Sequence, residues 1–363
     1  MGFDTIIAGA GIIGSSIAWR LAQQGRRVLL VEAGRLGGEA SSAGAGMLAP
    51  GGEIEARSAW NNLALESLQR YPAFVAELRE ETGCRIDYQR LGAIEFAFSP
   101  REWTELAARG TRQAALGIPS CPLSAKDLRR HAPVACQEVA GALFYPQDAL
   151  VDPRDLMAAL RAACLARGVE LREGVRVTSI RPGARSVRVE TAGGVLEAAT
   201  AVIAAGAWSS EIAVEGQTLP RAYPVRGHLI GFALEPYSLG PLLRHGHTYL
   251  LQRSNGFTIA GTSSEQVGFN RTLDPAAVAG IHAHASAMLP ELSARAPSEQ
   301  WVGFRPAVEG DQPALGRAGE TALWLAYGHY RNGILLAPAT AHRLAAGISA
   351  SSEMGRSALA GTP

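Results

Sequence analysis

A dinucleotide can be held by a few correctly spaced residues, and this chain carries such a set at its start. Gly9-Ala10-Gly11-Ile12-Ile13-Gly14 is followed by Glu32. Glycines in this pattern let the backbone turn tightly and approach a pyrophosphate. The next helix points its N–H groups at the phosphates, and an acid about 20 residues on accepts hydrogen bonds from ribose hydroxyls. An acid there repels a 2′-phosphate, so the expected ligand is NAD or FAD, and the motif leaves the two open. With 41 glycines in 363 residues the spacing alone is weak, and the flanking elements decide. Phe3 to Ala8 reads as an apolar strand, roughly Ile12 to Gln24 as a helix and Val28 to Glu32 as a second strand. That complete context marks a binding site rather than an ordinary glycine turn.

Other chemistry-bearing residues point nowhere so definite. The pairs His245/His247 and His282/His284 lack a nearby third ligand, so no metal site is expected. Cys84, Cys121, Cys136 and Cys164 form no CxxC pair and read as reduced thiols packed as small apolar groups. Net charge is +1, which gives no general attraction to nucleic acid or anionic lipid. Lys126 is the sole lysine, so nearly all of the 34 basic residues are arginines and any one arginine carries little information. No apolar run reaches the roughly 18 residues that span a bilayer. The chain enters its first strand at once, leaving no room for a signal or transit peptide, so a soluble cytoplasmic protein is expected.

The elements that must position these residues fall into an interleaved order. Leu36 to Gly52 is rich in Gly, Ala and Ser, which suits backbone lying close to a ligand. Helices are expected from about Arg57 to Thr82, from Glu102 to Leu116, from Pro153 behind the Asp152 N-cap to Arg167, and from Pro275 to Met288. A hairpin over 186–198, a buried strand over 201–206, a strand over 323–327 and a helix over 333–348 complete the pattern. Nucleotide-binding texture appears three times. The fold class is therefore α/β: a discontinuous Rossmann-like cofactor domain over 1–82, 146–222 and 305–350, with a second β-rich substrate domain over 83–145 and 223–304. The tail 351–363, small and polar, is expected to be mobile.

With the pieces placed, the chain resembles the FAD-dependent amine oxidases of the D-amino-acid oxidase superfamily, and among them the glycine oxidases of thiamine biosynthesis. The likeness spans nearly the whole length. Gly9, Gly11, Gly14 and Glu32 match the FAD fingerprint; Ala40 to Pro50, with Ser41, Ser42, Gly46 and Met47, resembles the segment beside the flavin. Ile203 to Ser209, with Gly206 and Trp208, resembles a second FAD-contact strand. The most specific strings are Gly303-Phe304-Arg305-Pro306, Asp311 to Gly316, and Gly328 to Thr340 with Asn332 and Gly333. The resemblance implies that Arg305 binds the substrate carboxylate, that Tyr249 assists it, and that Arg331 borders the site. Ser264 falls where a family member has a methionine, which implies a roomier pocket. Pro306 and Ala307 stand where related sarcosine oxidases attach FAD through cysteine, which implies noncovalent FAD.

The expected activity is oxidative deamination of glycine, sarcosine and small D-amino acids, with oxygen reduced to hydrogen peroxide. The imine product would feed thiazole formation, with hand-off to thiazole-forming enzymes from a homo-oligomer. A flavin carries the difficult step itself, so no protein acid or base is obligatory if the amine binds neutral. His247 and His329 remain single histidines beside that scheme. Two alternatives stay open: a dehydrogenase of the same fold that passes electrons to a quinone or carrier, and a flavin-binding subunit without turnover.

Overall fold

The computed structural model describes residues 2–310 and 312–360, without the side chains of 352–360. Two large sheets, of nine and eight strands, carry the architecture, with a small three-stranded sheet between their connections. In the nine-stranded sheet, β1 (Phe3–Ala8) lies between Gly194–Ile203 and β2 (Val28–Val31), parallel to both. A parallel strand covered on both faces must be apolar throughout, and all four residues of β2 are buried. The crossover from β1 to β2 is helix α1 (Ile12–Gln23), which packs against the helices Pro153–Ala166 and Gly333–Ala360.

Local chemistry explains the boundaries. Ser58 caps Ala59–Thr82 by accepting from the Asn61 N–H at 3.0 Å, and Gly83 ends that helix in the left-handed conformation. Asp152 caps Pro153–Ala166 as expected. The helix expected from Glu102 begins earlier, at Pro100, because Ser99 and Glu102 form a capping box. Strands expected separately over 195–198 and 201–206 are one strand, Gly194–Ile203. Ala199-Thr200 has no turn chemistry, and the strand pairs antiparallel with Val187–Thr191 before running parallel to β1. The last helix runs past Ile348; beyond Ser351 the expected mobile tail falls on residues whose side chains, or whose placement from 361, lie outside the description. All four cysteines are free thiols.

In the eight-stranded sheet, Glu299–Val308 lies at one edge, beside Ala222–Ala233, and then come Phe257–Gly261, Thr248–Gln252, Leu242–His245, Ala93–Ala97, Gly141–Tyr145 and, at the far edge, Cys121–Pro122. Glu299–Val308 runs without a break across the domain boundary expected at 304/305, so Arg305 belongs to this sheet. Side chains alternate along a strand, and the register sorts them into two faces. Ile230, Phe232, Leu250 and Ala260 point to one face and pack with Ile281, Ala285 and Met288 of helix Pro275–Met288. The opposite face carries Arg305 and Gly303, then Gly227 and Leu229, then Gly261, Tyr249, Arg244 and Glu95, each row paired with the next. That face forms the floor of a cavity.

Candidate active site

The cavity measures about 880 Å³ and joins the turn after β1 to the floor of the eight-stranded sheet. At the first end, Gly9 has φ +106°, and a side chain there would collide with the Ala204 carbonyl. Only glycine serves. Gly11 also lines the cavity, at the N-cap of α1. Gly14 does not line it: a side chain there would strike the Gly9 carbonyl, so its role is to let α1 lie close on the turn. Glu32 accepts from the Ala10 N–H and the Gly34 N–H, both at 2.8 Å, bracing the turns on either side. A carboxylate has about four lone-pair sites, so acceptor capacity remains for ribose hydroxyls. The glycine cradle, the helix N-terminus and this acid fit FAD.

The segment after β2 closes the side of the cavity. Ser41 accepts from the Ile12 N–H at 2.9 Å and so caps α1 from a distant stretch of chain. Ser42 is half-buried and does not line the cavity. Gly46 (φ +89°) and Met47 do. Buried Arg253 ties this stretch down, donating to the carbonyls of Ala45 and Val151. Trp301 Nε1 donates to the Ala43 carbonyl at 2.9 Å, locking the segment to the second sheet. Gly206 and Trp208 line the wall opposite, where Trp208 stacks on Phe269 with ring centres 4.7 Å apart. Asn332 and Gly333 complete it, at the N-terminus of the last helix.

At the other end, Arg305 reaches across Gly227, where a side chain would collide with the guanidinium. Its Nη1 donates to the Ser263 carbonyl at 3.0 Å and its Nη2 to Thr262 Oγ1 at 2.5 Å. Burial pulls its pKa below the ordinary arginine value, yet it remains a cation. Among the described residues, no acid forms an ion pair with it. The cavity's carboxylates are engaged elsewhere: Glu39 with Arg271, Glu53 with Arg331, Glu95 with Arg109 and Glu211 with Arg176. Tyr249 lies beside this guanidinium, its hydroxyl over Gly261, and burial pushes its pKa up to about 12, so it stays a donor.

Arg331 lines the cavity but is ion-paired through Nε to Glu53 at 3.1 Å and half exposed, so it stands at the rim as part of a latch. Glu53 also accepts from Asn332 Nδ2 at 2.6 Å, a role the sequence reading missed. Ser264 is exposed and does not line the cavity; its hydroxyl lies 3.3 Å from that of Tyr330. The chain turns away after Thr262, so a count from Tyr249 misplaces it. Tyr330, also unanticipated, does line the cavity with φ +50°, a strained value for a non-glycine residue. His247 sits exposed on the hairpin turn at the cavity wall. His329 is buried, held 3.2 Å from Thr340 Oγ1, and its pKa falls to about 3, so it stays neutral. The floor glycines carry a signal that could have found this site: glycine inside a strand often marks a close approach.

A family model described as FAD dependent oxidoreductase (DAO) matches residues 4–346. Glycine oxidase of Bacillus licheniformis is 32% identical over 344 residues, 94% of this chain and 92% of the relative. The bifunctional protein ThiO/ThiG of Synechocystis is 35% identical over 345 residues, 93% of this chain and 50% of that protein. The crystal structure of glycine oxidase from Geobacillus kaustophilus superposes with a TM-score of 0.91 at 33% identity, covering 96% of this chain and 95% of the other. The chain belongs to the DAO family of FAD-dependent oxidoreductases and is an amine or amino-acid oxidase of the glycine oxidase type.

Proposed function

We propose that the protein oxidises glycine, sarcosine and small D-amino acids, with oxygen as the electron acceptor, Arg305 as the carboxylate anchor and noncovalent FAD. The observation that carries this reading is a half-buried guanidinium that no acid among the described residues ion-pairs, facing a cavity that joins it to the dinucleotide cradle. A planar fork suits a carboxylate held in one plane, and Tyr249 supplies a second donor that does not ionise near neutrality. Fixing the α-carbon in this way lowers the barrier by several kcal/mol through positioning alone. Bound FAD supplies the two-electron acceptor. The substrate's Cα–H bond breaks with its electron pair, an N–H proton is released, and an imine remains. Molecular oxygen then takes up two electrons and two protons as hydrogen peroxide. No side chain in this site need act as base when the amine binds neutral.

The likeness to ThiO/ThiG supports a place for the imine in thiazole formation, with hand-off to a thiazole-forming partner. Air reoxidation tests the oxidase reading against the carrier-dependent dehydrogenase. Enzyme reduced by glycine should reoxidise rapidly in air-saturated buffer without a dye, with one peroxide per flavin turnover. Flavin that stays reduced until a quinone is added would overturn it.

A further inference from the structure

Arg305 is held in place by oxygens that carry no charge. A side chain on Gly227 would collide with Nη1, Nη2 and Cζ of Arg305 together, so the guanidinium lies with its face to that glycine. Its terminal nitrogens meet the segment after Gly261: Nη1 donates to the Ser263 carbonyl at 3.0 Å and Nη2 to Thr262 Oγ1 at 2.5 Å. Other arginines of the cavity wall are held differently. Arg331 is tied to Glu53 and Arg271 to Glu39, pairs in which the carboxylate that fixes the side chain also cancels its charge.

The surroundings of the Thr262 hydroxyl set its polarity. Its single proton goes to a backbone carbonyl, that of His228 at 3.0 Å or of Ser263 at 3.2 Å, so its oxygen is left to accept from Arg305. The segment that carries it is anchored on both sides. Fully buried His228 receives the Asp274 N–H on Nε2 at 2.9 Å, which leaves the Nδ1 proton for Ser263 Oγ at 2.8 Å. The His228 N–H donates to the same oxygen at 3.1 Å. Arg226 and Glu265 exchange backbone hydrogen bonds at 2.9 and 3.0 Å, and their side chains form an ion pair. Together these bonds fix the acceptor that reaches Arg305 Nη2.

We propose that Thr262 is a positioning residue, whose hydroxyl orders the Arg305 guanidinium before a carboxylate arrives and leaves its charge uncancelled. This rests on the reading of Arg305 as the carboxylate anchor. A carboxylate in place of the hydroxyl would hold the arginine as well but would remove its attraction for an anion. With no acceptor there, a long side chain would have to be ordered on binding, which weakens association.

The test is acetate binding to the FAD-loaded enzyme, titrated as perturbation of the flavin spectrum, together with glycine kinetics. Thr262→Val keeps the shape and removes the hydroxyl. It should weaken acetate about 5-fold, as for the ordering of one long side chain, and raise KM for glycine in step. Thr262→Ser keeps the oxygen and should bind acetate within about 2-fold of wild type, a rescue that a merely structural role for the threonine would not produce. Should Thr262→Val not retain FAD, Thr262→Ala takes its place beside the serine enzyme. Acetate bound as tightly by Thr262→Val as by wild type overturns the brace. So does acetate bound as weakly by Thr262→Ser as by Thr262→Val, or an unchanged KM for glycine. Arg305→Ala separates the two claims. If it loses acetate while Thr262→Val binds normally, the brace alone falls. If it binds acetate as wild type does, the Arg305 reading falls, and the brace with it.

Discussion

Arg305 and Arg331 illustrate how the surroundings of one residue type decide its role. Arg331 already has Glu53, while Arg305 keeps its charge for the cavity. Arg305→Ala should therefore raise the substrate requirement by orders of magnitude with FAD retained. Losing a secluded charge-assisted pair costs on the order of 2–5 kcal/mol. Arg305→Lys should restore only part, because an ammonium cannot reproduce the planar fork. Steady-state kinetics on glycine checks both, and Arg331→Ala should cost far less. Wild-type kinetics in Arg305→Ala would move the carboxylate elsewhere. The Gly-Phe-Arg-Pro string made Arg305 legible, whereas Glu53, Tyr330 and the displacement of Ser264 were not. Those depend on how a loop and a helix entrance meet in space, which no local pattern encodes. Strand glycines 227 and 261 were visible but become meaningful only once register places them under Arg305 and Tyr249, and Gly303 only once the segment holding Ala43 is seen to lie against it.

At the scale of elements, local rules set the helices and distant partners set the site. The cap at Asp152 was read from the sequence, and those at Ser58 and Ser99 are equally local, but α1 takes its cap from Ser41, in another segment. Ser41→Ala should lower stability by about 1 kcal/mol, measured by denaturant unfolding. Glu32→Ala removes the brace between two turns at the end of β2 and should weaken FAD retention without unfolding the chain, as flavin titration of the apoprotein would show. The last helix and the strand before it bury His329 neutral, with a pKa of about 3 against an ordinary value near 6.5. The unfolded state then binds more protons below pH 6.5, so this contribution is complete above that pH and is lost as pH falls toward 3. Wild type should lose about 1 kcal/mol from this group between pH 7 and 5.5, and His329→Gln should flatten that part of the profile in equilibrium unfolding.

On the scale of the whole molecule, one cavity joins a cofactor cradle on one sheet to the floor formed by the other. The interleaved chain order made this division legible, but not that strand 299–308 crosses the expected boundary and carries Arg305 into the second sheet. Strand ownership depends on pairing partners far apart in sequence. Purified protein should be yellow and release its flavin into the supernatant on acid precipitation, since Pro306 and Ala307 offer no thiol for attachment. Flavin retained in the pellet would show a covalent link. Mixing the oxidised holoenzyme anaerobically with glycine, while following flavin absorbance, tests the central claim most directly. The account predicts full bleaching at saturating glycine in wild type, and greatly impaired bleaching in Arg305→Ala. Wild-type flavin that stays oxidised under glycine, sarcosine and D-alanine, yet is reduced by dithionite, would contradict it.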